Sequence, residues 1–517
     1  MEVEFKFLIP ADRLAAVESD LRAGEFEPLE LQARYFDTTD GALAAAGLAL
    51  RLRKEGGHWI QTAKARGEGP LDRFEHNVDL PAPPEAGASP DIGLHVDTHV
   101  GRELARAVGD ASLVETFATD VQRLIRIEHE GDTQVELALD IGRISTPATD
   151  GGAARTTPVC ELEIELLHGS VADLVTVAKR WVEQHGLTFS TVSKAQRGRR
   201  LMNERDGAAL PAAVKAAAPA FAARKPDGAA IQRAVVAACL AQILPNASEI
   251  AAGSEDADTI HQLRVGIRRL RTALRELDGL AEGRFDPAWT GPLRHAFSAL
   301  GTQRDGELLA SKIQPLLESV GGPSIPTVAP PVADTGTEAD ADIDAGDSTT
   351  LAETVRMTPF QIVLVELIGF ATAPDDRLDA GTVRKPARAL AYLAKRLDTL
   401  HRQVVKGGKR FESLAAGEQH RVRKRLKRLR YIVEFVGPLF DAKGATRYLK
   451  ALTPAQDRLG DLNDLQVAAV AYRRLAVREP RAWFGVGWLQ ASRPDGARES
   501  RRALAKIADA RRFWRDR

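Results

Sequence analysis

Cysteine is nearly missing from this chain. It has two in 517 residues, Cys160 and Cys239, far apart and outside any metal-binding spacing. That excludes a disulfide framework and fits a reducing, cytoplasmic setting. Aromatic residues make up only 5%, and the basic segments lack interleaved stacking residues, so nucleic-acid recognition is poorly supported. No apolar run is expected to span a bilayer, so no membrane partner is expected. Charged residues begin at Glu2 with no apolar stretch behind them, which argues against a signal peptide. What is present is a hydrophobic fraction of 44%, that of a globular protein. The length calls for two or three domains.

Net charge is also zero, yet its distribution is not even. Residues 1–225 hold 26 Lys+Arg against 35 Asp+Glu, and residues 226–517 hold 45 against 36. Within the second half, residues 321–350 supply six acids and no base. An acidic piece is joined to a strongly basic one, and the basic piece asks for a polyanion.

Two stretches break the hydrophobic pattern. Residues 206–227 are rich in Ala and Pro and read as a linker. Residues 321–350, dominated by Pro, Gly, Ala and Asp, read as a disordered acidic insert. Before residue 205 the dominant period is two. Strands are predicted at 2–9, 48–54, 58–65, 72–79, 121–129, 133–140 and 160–167, with helices near 11–23, 100–109 and 171–185. After residue 228 the period is helical almost throughout. The fold class is therefore multi-domain, an α+β or closed-sheet domain (1–205) followed by an all-α domain (228–517).

The strands share an unusual habit. In "MEVEFKF", Glu2, Glu4 and Lys6 alternate with Val3, Phe5 and Phe7. Arg51 and Arg53 alternate with Leu50 and Leu52, and Arg73 and Glu75 share a face opposite Phe74. Glu136 and Asp140 lie opposite Val135, Leu137 and Leu139; Glu161, Glu163 and Glu165 alternate with Leu162, Ile164 and Leu166. Lys64 and Arg123 occupy comparable positions. For one strand, solvated charge explains the alternation. For six, a closed antiparallel barrel with charge in its lumen and helices outside explains it better. Clustered carboxylates suit a hard cation, Mg²⁺ or Mn²⁺, and the Arg and Lys groups suit phosphate oxygens.

Glu2-x-Glu4-x-Lys6 resembles the E-x-E-x-K signature of the CYTH family, the triphosphate tunnel metalloenzymes. "YFDT" at 35–38, "LRLR" at 50–53 and "SKAQRG" at 193–198 agree with it. The resemblance implies an eight-stranded antiparallel tunnel that hydrolyses a triphosphate with Mg²⁺ or Mn²⁺. It places Glu2, Glu4, Glu161 and Glu163, with Asp140 and Glu75, as metal ligands or water-positioning groups. It places Lys6, Arg51, Arg53, Lys64, Arg73, Arg123 and Lys194 on the phosphates, with Glu4, Lys6 and Arg123 nearest the reaction.

The second half repeats itself. "HQLRVGIRRLRTAL" at 261–274 maps onto "HRVRKRLKRLRYIV" at 420–433 by adding 159, and the same offset carries "LGTQRD" at 300–305 onto "LGDLND" at 459–464. A constant offset across two blocks marks an internal duplication, with copies at about 228–320 and 351–517. His261, Arg264, Arg268 and Arg271 fall on one helical face, as do His420, Arg423, Lys427 and Arg430. Like charges at this spacing repel, and an anion would relieve them; a solvated basic face is the plainer reading of one helix, and duplication in register argues against it. This half resembles the CHAD domain, which implies two pseudo-symmetric helical bundles that bind inorganic polyphosphate. Metal chelation by the histidines fits poorly, because each His is followed at i+3 by Arg.

Together these expectations describe a metal-dependent inorganic triphosphatase tethered to a polyphosphate-binding module. Such a tether would concentrate phosphate chains near the tunnel or direct the enzyme to polyphosphate granules. An adenylate cyclase or thiamine triphosphatase of the same tunnel type, or a non-catalytic scaffold, shares the same residues. The sequence leaves the oligomeric state open.

Overall fold

The computed structural model describes residues 3–66, 73–85, 87–148, 154–206, 212–325, 350–372 and 383–515, with all their side chains except those of residues 66, 73, 203–206 and 302–305. Among the described residues there are nine strands: β1 Glu4–Leu8, β2 Glu27–Thr38, β3 Leu48–Glu55, β4 His58–Arg66, β5 Arg73–Leu80, β6 Leu113–Glu130, β7 Thr133–Ser145, β8 Thr156–His168 and β9 Thr188–Phe189. The helices of the first 206 residues are α1 Leu14–Arg22, α2 Ala42–Ala45, α3 His99–Val108, α4 Val171–His185 and α5 Lys194–Asp206. Next come α6 Gly228–Ala251, α7 Ala257–Leu277, α8 Thr290–Leu308, α9 Gln314–Ser319, α10 Leu351–Arg356 and α11 Thr358–Thr372. The last four are α12 Pro386–Lys409, α13 Ala416–Val436, α14 Ala442–Leu475 and α15 Ala482–Ala505.

All nine strands form one antiparallel sheet in the order β5-β4-β3-β2-β6-β7-β8-β1-β9. Eight closed strands were expected. The ninth is a two-residue strand that takes the outer edge of β1 through Phe7–Phe189 and Leu8–Thr188. With that edge occupied, the ladder ends at β5 and β9, and no pairing joins them among the described residues. The sheet curls nonetheless. Tyr35 on β2 and Val159 on β8 lie three strands apart in the order, yet both belong to one buried apolar cluster.

Side-chain alternation then sorts the faces. Phe5, Phe7, Leu137, Leu139, Leu162 and Ile164 are buried on the convex face, where α1 and α4 pack on β7 and β8. Leu48, Leu50, Ala63 and Ala65 pack against Leu43 of α2 and Val100, Leu104 and Val108 of α3. The alternating charged residues of β1, β3, β5, β7 and β8 take the concave face. Helix α5 contacts β6, β7 and β8, with Ala195 against an apolar cluster of Tyr35, Phe117, Val121, Ile144 and Val159.

The chain divides into two compact units. One comprises Met1–Val214 with Leu244–Ala252 and Val355–Ala373, and the other Lys215–Ile243, Gly253–Thr354 and Pro374–Arg517. The sheet unit thus takes in two short pieces from beyond the expected linker. Residues 212–227 hold only bends and coil ahead of α6, while 207–211 and most of the acidic insert, 326–349, lie outside the described residues. In the helical unit, α7 and α13 each span 21 residues, with both ends offset by 159 as in the duplication. One expectation needs correction. Helix α6 is long and apolar enough to cross a membrane by length and composition, although its apolar window is 72% buried within the protein. Its 24 residues are Ala-rich and broken by Pro245, which hid their length as an apolar run.

Gly198 on α5 sits where an added Cβ would fall 2.3 Å from the Phe117 ring. Gly198→Ala is expected to lower stability by about 1–3 kcal/mol through overpacking. Gly291→Ala, on a helix with nothing within 4 Å of the new methyl, should be neutral or slightly stabilising. Urea unfolding of the two variants checks the contrast.

Candidate functional site

Register sets the first cluster. Lys6 on β1 lies opposite Glu163 on β8, Arg123 on β6 opposite Asp140 on β7, and Asp140 opposite Glu161. Arg123 holds Asp140 bidentately, Nε to Oδ1 at 2.7 Å and Nη2 to Oδ2 at 2.7 Å, and reaches Glu163 Oε2 at 2.5 Å. Lys194 arrives from α5. Its Nζ lies 2.6 Å from Asp140 Oδ2 and 3.3 Å from Glu163 Oε1, and it also donates to Glu161. Arg197, one turn on, reaches Glu161 Oε2 at 3.3 Å.

Local sequence explains how Lys194 gets there. Ser193 and Gln196 form a capping box: the Ser193 amide donates to Gln196 Oε1 at 2.8 Å and the Gln196 amide to Ser193 Oγ at 3.2 Å. A cation in the first helical turn opposes the helix dipole, so Lys194 depends on the carboxylates it meets. Asp140 and Glu161 are fully buried. Burial works against the charges of Glu163, Lys194 and Arg123, and pairing overrides it. Lys194, Arg123 and Lys6 hold the Glu163 carboxyl well below its ordinary range. Glu161, Glu163 and Asp140 hold the Lys194 ammonium well above its own.

A second group lies on the same concave face across β2–β5. Tyr35 is stacked on Phe117 at 4.4 Å between ring centroids and accepts a hydrogen bond from Arg51 Nη1 at 3.0 Å. Glu75 pairs with Lys64 and lies 4.0 Å from Arg51 Nη2. Arg53 contacts Glu55 Oε2 at 2.8 Å. Burial raises the Tyr35 phenol, yet Arg51, Lys64 and Lys194 bring it below its ordinary value. Burial and neighbouring Arg51 lower both Arg53 and Lys64. Among the described residues, the Nε atoms of Arg51 and Arg53 are buried without a hydrogen-bond acceptor. Two orphaned guanidinium donors on a concave cationic wall are what an anion would satisfy.

Of the residues singled out in sequence, Glu4, Lys6, Arg51, Arg53, Lys64, Glu75, Arg123, Asp140, Glu161 and Glu163 share the concave face by strand parity, and Lys194 joins them from α5. Glu2 lies outside the described residues, as does the side chain of Arg73. Sequence reasoning missed Arg197, whose spacing of three from Lys194 was the available signal. It also gave Tyr35 no role of its own. Asp140, Glu161 and Glu163 offer oxygens within 4.8 Å of one another, a donor set of the hard-cation type.

In the helical unit, His261, Arg268, Arg423, Lys427 and Arg430 line one cavity of about 980 Å³ together with Lys215 and Arg269. Glu434, Asp457, Asp461 and Asp464 line it too. Arg430 binds Glu434 Oε1 at 2.5 Å, and Lys312 spans Asp461 and Asp464 at 3.1 and 2.9 Å. The remaining candidates sit elsewhere. Arg264 is buried, bonds the Phe297 carbonyl at 3.0 Å and covers that ring, with Arg271 on the same ring. His420 is not among the lining residues. Burial and the cations Lys424, Arg423 and Lys427 push its imidazole down to about 4.

Residues 1–198 match the CYTH domain model and residues 234–473 the CHAD domain model. The chain is a CYTH domain followed by a CHAD domain. It is 27% identical over 182 residues to an inorganic triphosphatase of Haemophilus influenzae, a match covering 34% of this chain and 46% of that protein. The match therefore spans about half the length of that curated relative. Among solved structures, the CHAD domain of the plant Ricinus communis is 24% identical with a TM-score of 0.44, covering 57% of this chain and 97% of that one. A Hippeastrum protein, described as a candidate adenylyl cyclase with dominant triphosphatase activity, is 17% identical with a TM-score of 0.27 and covers 41% of this chain and 98% of its own.

Lys194→Met would leave the Asp140–Glu161–Glu163 group without its central cation. A loss of about 3–5 kcal/mol is expected near pH 7, the range for stripping one partner from a buried ionic cluster. Glu163 has a depressed carboxyl, so its contribution is present above the unfolded carboxylate value of about 4.3 and is lost as pH falls through the folded one. The variant forfeits that contribution. Its deficit against wild type should shrink as pH drops below about 4.3, as denaturant unfolding across pH would reveal.

Proposed function

We propose that the CYTH domain hydrolyses inorganic triphosphate on its concave face, with Mg²⁺ or Mn²⁺, and that the CHAD domain binds inorganic polyphosphate. The observation that carries the first part is the buried pair of unsatisfied Nε donors on Arg51 and Arg53, facing the same concavity as Lys6, Lys64, Arg123 and Lys194. A condensed phosphate brings acceptors for the first pair and negative charge for the other four. The relative named an inorganic triphosphatase supports the same substrate class.

Glu4, Glu161 and Glu163, with Asp140, would hold the cation, which supplies charge neutralisation at the phosphoryl oxygens when bound. Arg51, Arg53 and Lys64 grip the phosphates, Arg by directed forks and Lys as a point charge. Glu75 keeps Lys64 and Arg51 aimed. Glu2 and Arg73 are assigned to the metal and phosphate sets on the family signature alone. Lys6 and Arg123 face the developing charge at the transferred phosphoryl group, where fixed donors in a dry site act most strongly. Glu4 positions the attacking water in line with the leaving oxygen.

For the CHAD domain, the cavity lined by His261, Arg268, Arg423, Lys427 and Arg430 has the sign and size for a phosphate chain. Arg264, Arg271 and His420 flank it in sequence and would act on the chain's field rather than line its bed. A nearby polyanion would raise the His420 imidazole from its depressed value toward protonation.

Lys6→Ala and Glu4→Gln should each reduce triphosphate turnover by at least about 100-fold, the loss typical of one oriented transition-state contact. Both variants should stay folded, although Lys6→Ala, which takes a cation from Glu163, should also lower the melting temperature. Phosphate release from inorganic triphosphate, ATP and thiamine triphosphate, with Mg²⁺, Mn²⁺ or chelator, checks this. Preference for ATP or thiamine triphosphate, or turnover in chelator, would overturn the assignment. Long-chain polyphosphate should bind the full chain with affinity that falls steeply as salt rises, and Lys427→Glu with Arg423→Glu should weaken it; calorimetry across a salt series reads both.

A further inference from the structure

Five consecutive backbone amides lead from β9 into α5, and each has an assigned acceptor. Phe189 donates to Gln361 Oε1 at 2.8 Å, Ser190 to the Lys6 carbonyl at 2.8 Å, and Thr191 to Ser248 Oγ at 3.0 Å. Val192 donates to Ser190 Oγ at 3.1 Å, and Ser193 to Gln196 Oε1 at 2.8 Å. Three of these acceptors come from the CYTH sequence. The other two, Ser248 and Gln361, come from α6 and α11, inside the stretch matched by the CHAD model. Both helix segments nevertheless belong to the compact unit of the sheet.

These two acceptors are themselves fixed. Ser248 and Gln361 are each 1% exposed. Ser248 Oγ donates back to the Leu244 carbonyl at 2.8 Å, and Gln361 Nε2 donates to the Val355 carbonyl at 2.7 Å. Buried amides without acceptors are strongly disfavoured, so these side chains decide where the 189–193 segment runs. That segment ends at Lys194. Its Ser190 amide also holds the backbone of Lys6, and the Phe189 ring packs edge-on against Phe5 and Phe7 at 6.3 and 6.0 Å. Arg200 on α5 pairs with Glu249 on α6, a third tie to the same segment.

We infer that Ser248 and Gln361 are positioning residues for the phosphate-gripping Lys194 and Lys6, so that CHAD-derived sequence completes the CYTH catalytic face. The inference rests on the triphosphatase reading proposed above. It implies that the β9–α5 segment is set in part by residues the CYTH sequence does not contain.

The test uses the full chain. Ser248→Ala, Gln361→Leu and their combination are expected to lower kcat for inorganic triphosphate about tenfold or more at saturating Mn²⁺, and to speed amide hydrogen exchange over residues 189–197. Ser248→Thr keeps the hydroxyl and should restore both. Val404→Ala, a cavity in the core of the helical unit, supplies a loss of melting temperature unrelated to this segment; it should leave kcat and the exchange of residues 189–197 unchanged. Unaltered kcat and exchange in the combined variant overturns the inference, as does an equal loss in Val404→Ala. If the combined variant does not fold, the comparison of Ser248→Ala with Ser248→Thr decides, and failure of threonine to restore the rate counts against the claim. Should wild type release no phosphate from triphosphate, the functional reading fails, while the exchange comparison still tests whether these residues fix the segment.

Discussion

The concave face of the sheet depends on one balance: three inward carboxylates, Asp140, Glu161 and Glu163, against three cations, Arg123, Lys194 and Arg197. Neither set could be buried alone. An isolated ion in a protein interior costs several kcal/mol, and like charges at strand spacing add repulsion. Strand register places the acids and Arg123 on one side of the sheet, and only a helix arriving from outside can deliver Lys194 and Arg197. The fold therefore requires α5 to be docked before the charged face is tolerable. This explains why a polar helix with little apolar surface of its own carries a capping box, a tightly fitted glycine and a salt bridge to α6.

Part of this was legible in sequence because the period-two pattern was inverted relative to common usage. Alternation normally marks one wet face, and here the wet-looking face is the interior one. Repetition over β1, β3, β5, β7 and β8 made that readable. Strand β2 was not. Its Leu29, Leu31, Ala33 and Tyr35 face inward while Glu30, Gln32 and Arg34 face outward, and Pro28 near its start reads as a break. Its place is fixed by twelve paired positions on β6, a long-range constraint without a local signal. Helix α5 was invisible for the opposite reason, being polar nearly all round. The basic stripe of α7 does not occupy a single environment. Arg264 turns under Phe297 while His261 and Arg268 open into the cavity, since a helix packed on two sides splits any stripe broader than one contact.

The two cationic regions also differ in kind. On the CYTH face, cations are already engaged by carboxylates, and burial makes each pairing strong. Under the proposed function, a triphosphate entering there would compete for Lys194 and Arg123 and so reorganise an existing network, whereas Arg51 and Arg53, whose Nε donors find no acceptor among the described residues, could be engaged without displacing a partner at those atoms. In the cavity of the helical unit, Glu434 pairs with Arg430 and Arg269, and Asp461 and Asp464 pair with Lys312. On the proposed reading, such a surface would serve a long, repetitive anion through many modest contacts, and the CYTH face a short one that must be held still.

Domain boundaries drawn from sequence families and from packing disagree here, and the disagreement has chemical content. The CYTH match ends at residue 198, in the middle of α5, whereas the packed unit continues to Val214 and then recruits 244–252 and 355–373. The recruited pieces bring Gln361 and Ser248 to amides of the very segment that sets Lys194, and Glu366 to Lys179 on α4. A surface joined only by apolar packing could slide; one in which buried amides depend on single side-chain acceptors has one register. Loss of either acceptor would leave an unsatisfied N–H costing about 1–3 kcal/mol, enough to redistribute the segment among positions. Because Lys194 touches three carboxylates at once, even a small displacement of its helix would unbalance all of them together.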